Sequence, residues 1–575
     1  MTEPTSTSLR APDIALGDGA EAYQAAVDRA RTEEWATRLI DRDATLWSAD
    51  PEVGGAIGDR LGWLDAPIEF ADRTAALEGF GDGVVAAGFT TVVVAGMGGS
   101  SLAPDVLHRT FGTQEGYPAL RILDSTDPAA VAAVFDDLDP LKTLVIIASK
   151  SGTTTEPNAF LAYAWDLAHR ALDKVGHHAY ENPGAMTAAI TDPGKSLEAF
   201  KHHDQFREVF LNPPDIGGRY SALTYVGLVP ASLIGLDLDA LLASAVAMLG
   251  ACREPDPEAN PGVSLGLAMG TLAKAGRDKL TFLTDDEIAS FGAWAEQLIA
   301  ESTGKHGVGI VPVDMEPLGA PSAYGSDRVF VRLSVADGTD GGRDALATEL
   351  EAAGHPVIRI AISDPIDLGG EFVRWEVATA IAGAVLEIDP FDQPNVEEAK
   401  NLTREVLEKA GRGESVGTGA APLTPNDPGF ADAFTAHLGR RAPNAYLALQ
   451  AFIAPTPDRD DALARIRALL RDRTKQATTG AFGPRFLHST GQLHKGGAPI
   501  GWFLQLTADH PDDREIPGWP YTFGGLIDAQ AAGDFAALDG HDLPILRIHL
   551  GADPDAGLAA LERALDAALT STSED

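Results

Sequence analysis

From Thr90 to Thr191 the chain passes four times through a short β-branched or apolar run: Thr90–Ala95 (TTVVVA), Leu120–Leu123, Leu144–Ala148 and Ala188–Thr191. Ala/Leu-rich stretches of helical length lie between them, Leu102–Thr110 and Glu156–Lys174 being the clearest. Strands that alternate with helices bury their apolar faces as a parallel, doubly wound sheet. A long helix is expected near Asp239–Leu249. A second alternating set follows, with strands at Lys279–Leu283, Val329–Leu333 and Pro356–Ile362 and helices at about 285–302 and 343–353. In Gly411–Pro428 (GRGESVGTGAAPLTPNDP) no period survives, which reads as a linker. Beyond it Ala445–Phe452, Asp460–Leu470 and further strands form another unit. The fold class is therefore α/β. The expected organisation is a helical N-terminal segment (1–75), two parallel-sheet domains (76–235 and 236–410), a linker (411–430) and a C-terminal α/β extension (431–575). RVFVRLSV followed by PVIRIAI is echoed by GWFLQLT followed by PILRIHL. Duplication and the general likeness of α/β strand pairs both account for that echo.

Charge limits the partners. Against 44 Lys and Arg stand 84 Asp and Glu, a net −40 over 575 residues. Such a field repels nucleic acid and anionic membranes, so neither is expected as a partner. An anionic ligand would need a local positive pocket in a negative shell. A single cysteine, Cys252, permits no intrachain disulfide and no cysteine-based metal site, which fits a reducing cytosol. The first twenty residues show neither a basic segment nor an apolar core of a signal peptide, and no apolar run approaches the ~20 residues a bilayer requires. A cytoplasmic location is expected.

Six segments can carry chemistry. Gly96-Met97-Gly98-Gly99-Ser100-Ser101 joins a strand to a helix, where backbone N–H groups can approach an anion. It nearly fits a dinucleotide fingerprint, with Asp124 ending the next strand, but Ser101 stands where the third glycine belongs. Ser149-Lys150-Ser151-Gly152-Thr153-Thr154-Thr155-Glu156 follows a strand and offers five hydroxyls, more than a helix cap requires. A phosphate has acceptor oxygens and no donors, so this loop suits a monophosphate; it lacks the GK[ST] of a nucleotide loop. In Ile216-Gly217-Gly218-Arg219-Tyr220-Ser221 a guanidinium is presented from a glycine hinge, to hold either an oxyanion or a structural carboxylate.

Thr284-Asp285-Asp286-Glu287 reads as a capping box. The helix it opens carries Ile288, Phe291, Trp294 and Leu298 on one stripe, and Glu301 falls on that stripe before Gly304 ends the helix. A carboxylate there is disfavoured as an anion by both burial and the helix dipole, as suits a general base; pairing with Lys305 is the structural alternative. Pro394 starts a helix that holds Lys400, with Gln393 at its mouth. Finally, Phe486–Gly497 (FLHSTGQLHKGG) packs polar groups between glycines. His488 and His494 lie in it without a third ligand nearby, so no metal is expected.

Together and in order, these segments resemble the glucose-6-phosphate isomerase (phosphoglucose isomerase) family. AGMGGSSLAPDVL is similar to its glycine turn, SKSGTTTEP to its phosphate loop and GGRYSAL to its arginine signature. QLIAESTGK resembles the strip bearing the catalytic glutamate, and FDQPNVEEAK the strip with a glutamine and a lysine. The resemblance implies two sugar-isomerase (SIS) domains, each a parallel five-stranded αβα sandwich. It implies that Ser149, Ser151, Thr153 and Thr154, with Lys150 beside them, hold a sugar phosphate, and that Gly99 and Ser100 line the sugar. Arg219 would stabilise an enediolate, Glu301 would move the proton between C1 and C2, and Gln393 and Lys400 would complete the site. No cofactor is implied, and a homodimer is. The family's ring-opening histidine falls between the glutamate and the glutamine strip, where Glu316–Ser326 (EPLGAPSAYGS) has none. The C-terminal extension resembles that of long isomerases fused to transaldolase, although residues 1–75 are too few for a transaldolase barrel. Within it LHSTGQLHKGG resembles a histidine segment of some bacterial isomerases, so His488 is expected to take the missing role, from a neighbouring subunit; the alternative is that His488 packs beneath the Gly496-Gly497 turn while His306 or water opens the ring. The other readings are a non-catalytic sugar-phosphate regulator and an isomerase for mannose 6-phosphate or a sulfosugar.

Overall fold

A computed structural model describes residues 8–175, 182–411 and 422–571. Residues 412–421 of the expected linker lie outside the described residues. The N-terminal segment, expected as helix and loop, also supplies a short strand, β1 (Asp13–Ala15).

The first sheet contains β2 (Thr91–Gly96), β3 (Ala119–Leu123), β4 (Thr143–Ala148), β5 (Thr187–Thr191) and β6 (Glu208–Leu211), all parallel, in the order β3-β2-β4-β5-β6. Every residue of β2 and of β4 is buried. That explains why both read as unbroken apolar runs: helices cover each face. The winding reverses between β2 and β4, so the loops after these two strands diverge and leave a crevice at their carboxyl ends. The glycine turn and the hydroxyl loop are those two loops.

The second sheet contains β7 (Lys279–Thr284), β8 (Val311–Val313), β9 (Arg328–Val335) and β10 (Val357–Ile362) in the order β8-β7-β9-β10. Its fifth strand is not a parallel one from the same unit. β1 pairs antiparallel with β10, setting Ile14 opposite Ile358. The third sheet contains β11 (Tyr446–Phe452), β12 (Ala477–Phe482), β13 (Gly501–Thr507) and β14 (Ile545–His549), parallel throughout, in the order β12-β11-β13-β14. The wholly buried helix Leu368–Leu386 packs against Pro261–Lys274 and Leu238–Ala251. Gly266 lets the backbones meet there, since a Cβ on it would stand 2.3 Å from the Ala378 oxygen.

The capping box does not form. A short 3₁₀ turn at Asp286–Ile288 precedes the helix Phe291–Thr303. Asp285 instead accepts from Val335 N at 2.9 Å and pairs with Arg332 at 2.6 Å, while Glu287 accepts from Thr339 N. A tertiary partner across the sheet outcompetes the local cap.

Candidate active site

Gly98, at φ +56, turns the chain from β2 into the helix Gly99–Phe111. Here glycine is demanded by close approach. A Cβ on Gly99 would lie 2.1 Å from the Gly218 oxygen, and one on Gly98 would lie 2.6 Å from the His488 oxygen. The arginine loop and the histidine loop therefore both rest on the glycine turn. Ser100 lines a small cleft with Lys150, Gly218 and Ser221. In the hydroxyl loop Ser149 and Thr154 hydrogen-bond at 2.9 Å and Ser151 and Thr153 at 3.0 Å. Gly152 has φ +66, and a Cβ there would strike the Ser196 oxygen at 1.8 Å, so the loop is pinned on the short helix Lys195–Glu198. Lys150 is committed elsewhere: its Nζ pairs with Asp192 at 2.5 Å and donates to the Pro214 carbonyl at 2.9 Å.

Arg219 is buried and fully engaged. Nε donates to Ser302 Oγ at 2.8 Å, Nη1 to Gln393 Oε1 at 3.1 Å, and Nη2 to the Pro390 and Asp392 carbonyls at 2.8 and 2.9 Å. Nη1 also pairs with Glu301 Oε1 at 3.1 Å. Glu301's partner is therefore Arg219 and not Lys305, whose Nζ donates to the Asp389 carbonyl and pairs with Asp392. Burial first, and then the nearby Arg219 charge, push Lys305 down to about 8. Of the two readings of Arg219, the structure shows the carboxylate contact: it holds Glu301 and the glutamine strip at once.

His488 enters this site from the same chain. Gln297, one turn before Glu301, donates from Nε2 to Glu301 Oε2 at 3.1 Å and to the His488 carbonyl at 2.7 Å. The imidazole Nε2 meets Glu156 Oε1 at 3.0 Å, and Gln530 Nε2 donates to that same oxygen at 2.6 Å. Burial raises the Glu156 carboxyl, but the His488 charge and hydrogen bond, with help from Lys400, hold it below the usual carboxylate range. Lys400 lies on the helix Val396–Gly411, as expected. Gln492 ties the strip in place, donating to the Gly304 carbonyl and accepting from Asn395 N at 2.8 Å. His494 plays a different part. It is buried against Phe503 and Phe486, and burial drives its basicity well down. Asp124, the acid a dinucleotide reading requires, is paired with Arg485 at 3.0 Å. Glu156 and Gln297 were not singled out from sequence. Glu156 closes the hydroxyl loop, but its histidine lies 332 residues away. Gln297 shares the face of Glu301 by its i, i+4 spacing, the one local signal that pointed to it.

The hydroxyl-rich loop and the Glu301–Arg219 pair are grouped near the crevice of a doubly wound sheet, where folds of this kind bind small ligands. The phosphoglucose isomerase family model matches residues 69–326. A glucose-6-phosphate isomerase of Rubrobacter xylanophilus is 32% identical, over 61% of this chain and 90% of that protein. One from Symbiobacterium thermophilum is 30% identical, over 61% and 87%. Among solved structures, the Thermus thermophilus protein TT0462 superposes with a TM-score of 0.57 at 25% identity, covering 69% of this chain and 99% of its own. A Chlamydia trachomatis glucose-6-phosphate isomerase gives 0.51 at 18%, covering 72% and 89%, and so shares the fold. The chain belongs to the glucose-6-phosphate isomerase family.

Proposed function

We propose that the protein interconverts glucose 6-phosphate and fructose 6-phosphate, with Glu301 moving one proton between C1 and C2 of a cis-enediol. The hydroxyls of Ser149, Ser151, Thr153 and Thr154 take the phosphate, and Gly99 and Ser100 line the sugar. Lys150 borders this pocket through its pair with Asp192. Arg219 supplies fixed positive charge for the enediolate oxygens, and Gln393 keeps that guanidinium in register. A charge already in position costs no reorganisation as the oxyanion develops. His488, oriented by Glu156, carries the proton that opens the ring, assisted by Lys400. The observation that supports the reading is Gln297, which bridges the Glu301 carboxylate and the His488 backbone carbonyl and so ties the proposed base to the loop of the proposed ring opener. A regulator that only binds sugar phosphate needs the hydroxyl loop but not this second constellation.

The test is fructose 6-phosphate in D₂O followed by NMR. Glucose 6-phosphate carrying deuterium at C2 is expected. Mannose 6-phosphate appearing beside it would widen the substrate range, and no turnover of any hexose 6-phosphate would remove the reading.

A further inference from the structure

The second and third sheets share one strand order. β8-β7-β9-β10 and β12-β11-β13-β14 each place the second strand outside the first, then the third and fourth. The contacts between the two units are reciprocal. The helix between β7 and β8, Phe291–Thr303, meets the segment after β12: Gln297 donates to the His488 carbonyl, and Gln492 donates to the Gly304 carbonyl. The helix between β11 and β12, Pro457–Thr474, meets the segment after β8: Arg467 donates to the Asp314 and Met315 carbonyls at 2.7 and 3.1 Å, and Arg471 to the Pro317 carbonyl. Equivalent strand ends also face each other. Lys279, at the start of β7, donates to the Asn444 carbonyl just ahead of β11, and Glu316 after β8 accepts from Thr478 N of β12. One apolar cluster, with Ala300, Val311 and Val313 from one unit and Tyr446, Ala448 and Ala477 from the other, seals the contact. Element i of one unit touching element j of the other, while j touches i, is the signature of an isologous, twofold contact.

We infer that residues 430–571 are an internal copy of the β7–β10 unit, seated on it as the second subunit of a twofold dimer would sit, so that each chain carries its own complete composite site. Only one of the two pseudo-equivalent positions became chemical. At one, Glu301 ends the first helix and His488 lies after β12. At the other, the segment after β8 offers Glu316 in place of a histidine, and Glu316 is buried against Arg328 at 2.9 Å. The helix ending at Thr474 offers Arg467 and Arg471, both occupied with backbone carbonyls. That half holds the units together, and the other half reacts.

The catalytic part of this inference rests on the proposed isomerase reading, so its test uses two variants, Glu301→Gln and His488→Asn. Each alone is expected to lose about 10²-fold in kcat. The two are then co-expressed with different tags and captured in tandem. With sites built within one chain, any doubly tagged assembly shows only the residual activity of the single variants. If no mixed assembly forms, wild-type specific activity stays constant on dilution from micromolar to nanomolar. Recovery toward about half of wild type, the fraction of intact sites in a doubly tagged dimer whose sites share residues, overturns the inference. Activity lost on dilution overturns it as well. A Glu301→Gln protein at wild-type rate counts against the isomerase reading itself, whereas a His488→Asn protein at wild-type rate strikes the composite site alone.

Discussion

In the proposed reaction Glu301 is the proton shuttle, and both of its oxygens are held: Arg219 faces one at 3.1 Å and the Gln297 amide the other at 3.1 Å. Glutamine fills the same space and can still accept from Gln297, yet it cannot take a proton from carbon. Glu301→Gln should therefore lower kcat by at least ~10²-fold with KM little changed, measured by steady-state kinetics on fructose 6-phosphate. Activity within a few-fold of wild type would remove Glu301 as the base. How legible each residue was depended on distance along the chain. Ser149 to Thr154 declared themselves because all the groups lie on one loop, and Glu301 because it broke an apolar stripe. Glu156 did not, since the first turn of a helix is an ordinary place for a glutamate and only the fold brings His488 to it.

At the scale of elements, the strands were visible wherever helices bury both faces, as in β2 and β4, since an unbroken apolar run leaves little choice. Element ends were less so. The expected cap at Thr284–Glu287 gave way to Arg332, and no sequence period announced that β1 would complete an edge one sheet away. The helix Phe291–Thr303 also carries Glu296. Burial first, and then the Asp314 carboxylate, push Glu296 up to about 8, with Arg467 and Arg485 opposing but not cancelling. Burial alone raises Asp314 to about 7, against the pull of Arg467. A carboxyl raised by folding favours the folded state fully below its ordinary value of 4.5, and that contribution disappears as pH climbs toward the folded value. Glu296→Gln is neutral at every pH. Its melting temperature relative to wild type should thus rise steadily between pH 5 and pH 8, as followed by thermal unfolding in matched buffers. A difference that stays flat across that range would show that Glu296 is not held protonated in the folded protein.

For the molecule as a whole, the resemblance was enough to place the two SIS-type sheets, but the third required the structure. Its strands were seen and its echo of β9 and β10 was noted, while the order β12-β11-β13-β14 and the reciprocal packing depend on pairing that no local pattern encodes. Net charge sets the remaining expectation. A local positive pocket was anticipated inside the shell of −40, yet three cations around the site are matched. Arg219 is paired with Glu301, Lys305 with Asp392, and Lys150 with Asp192. Matched pairs hold their geometry but project little field, so an approaching phosphate dianion meets mainly the negative surface. Salt should help the reaction instead of hindering it. Raising sodium chloride from ~10 to ~150 mM shortens the screening length from about 30 to about 8 Å. That should increase kcat/KM on the order of two- to fivefold with kcat unchanged, because encounter is relieved and chemistry is not. Chloride is the salt to use, since sulfate or phosphate would occupy the hydroxyl loop. A kcat/KM that falls steadily with chloride would mean that an unmatched positive field reaches out of the site and steers the substrate in.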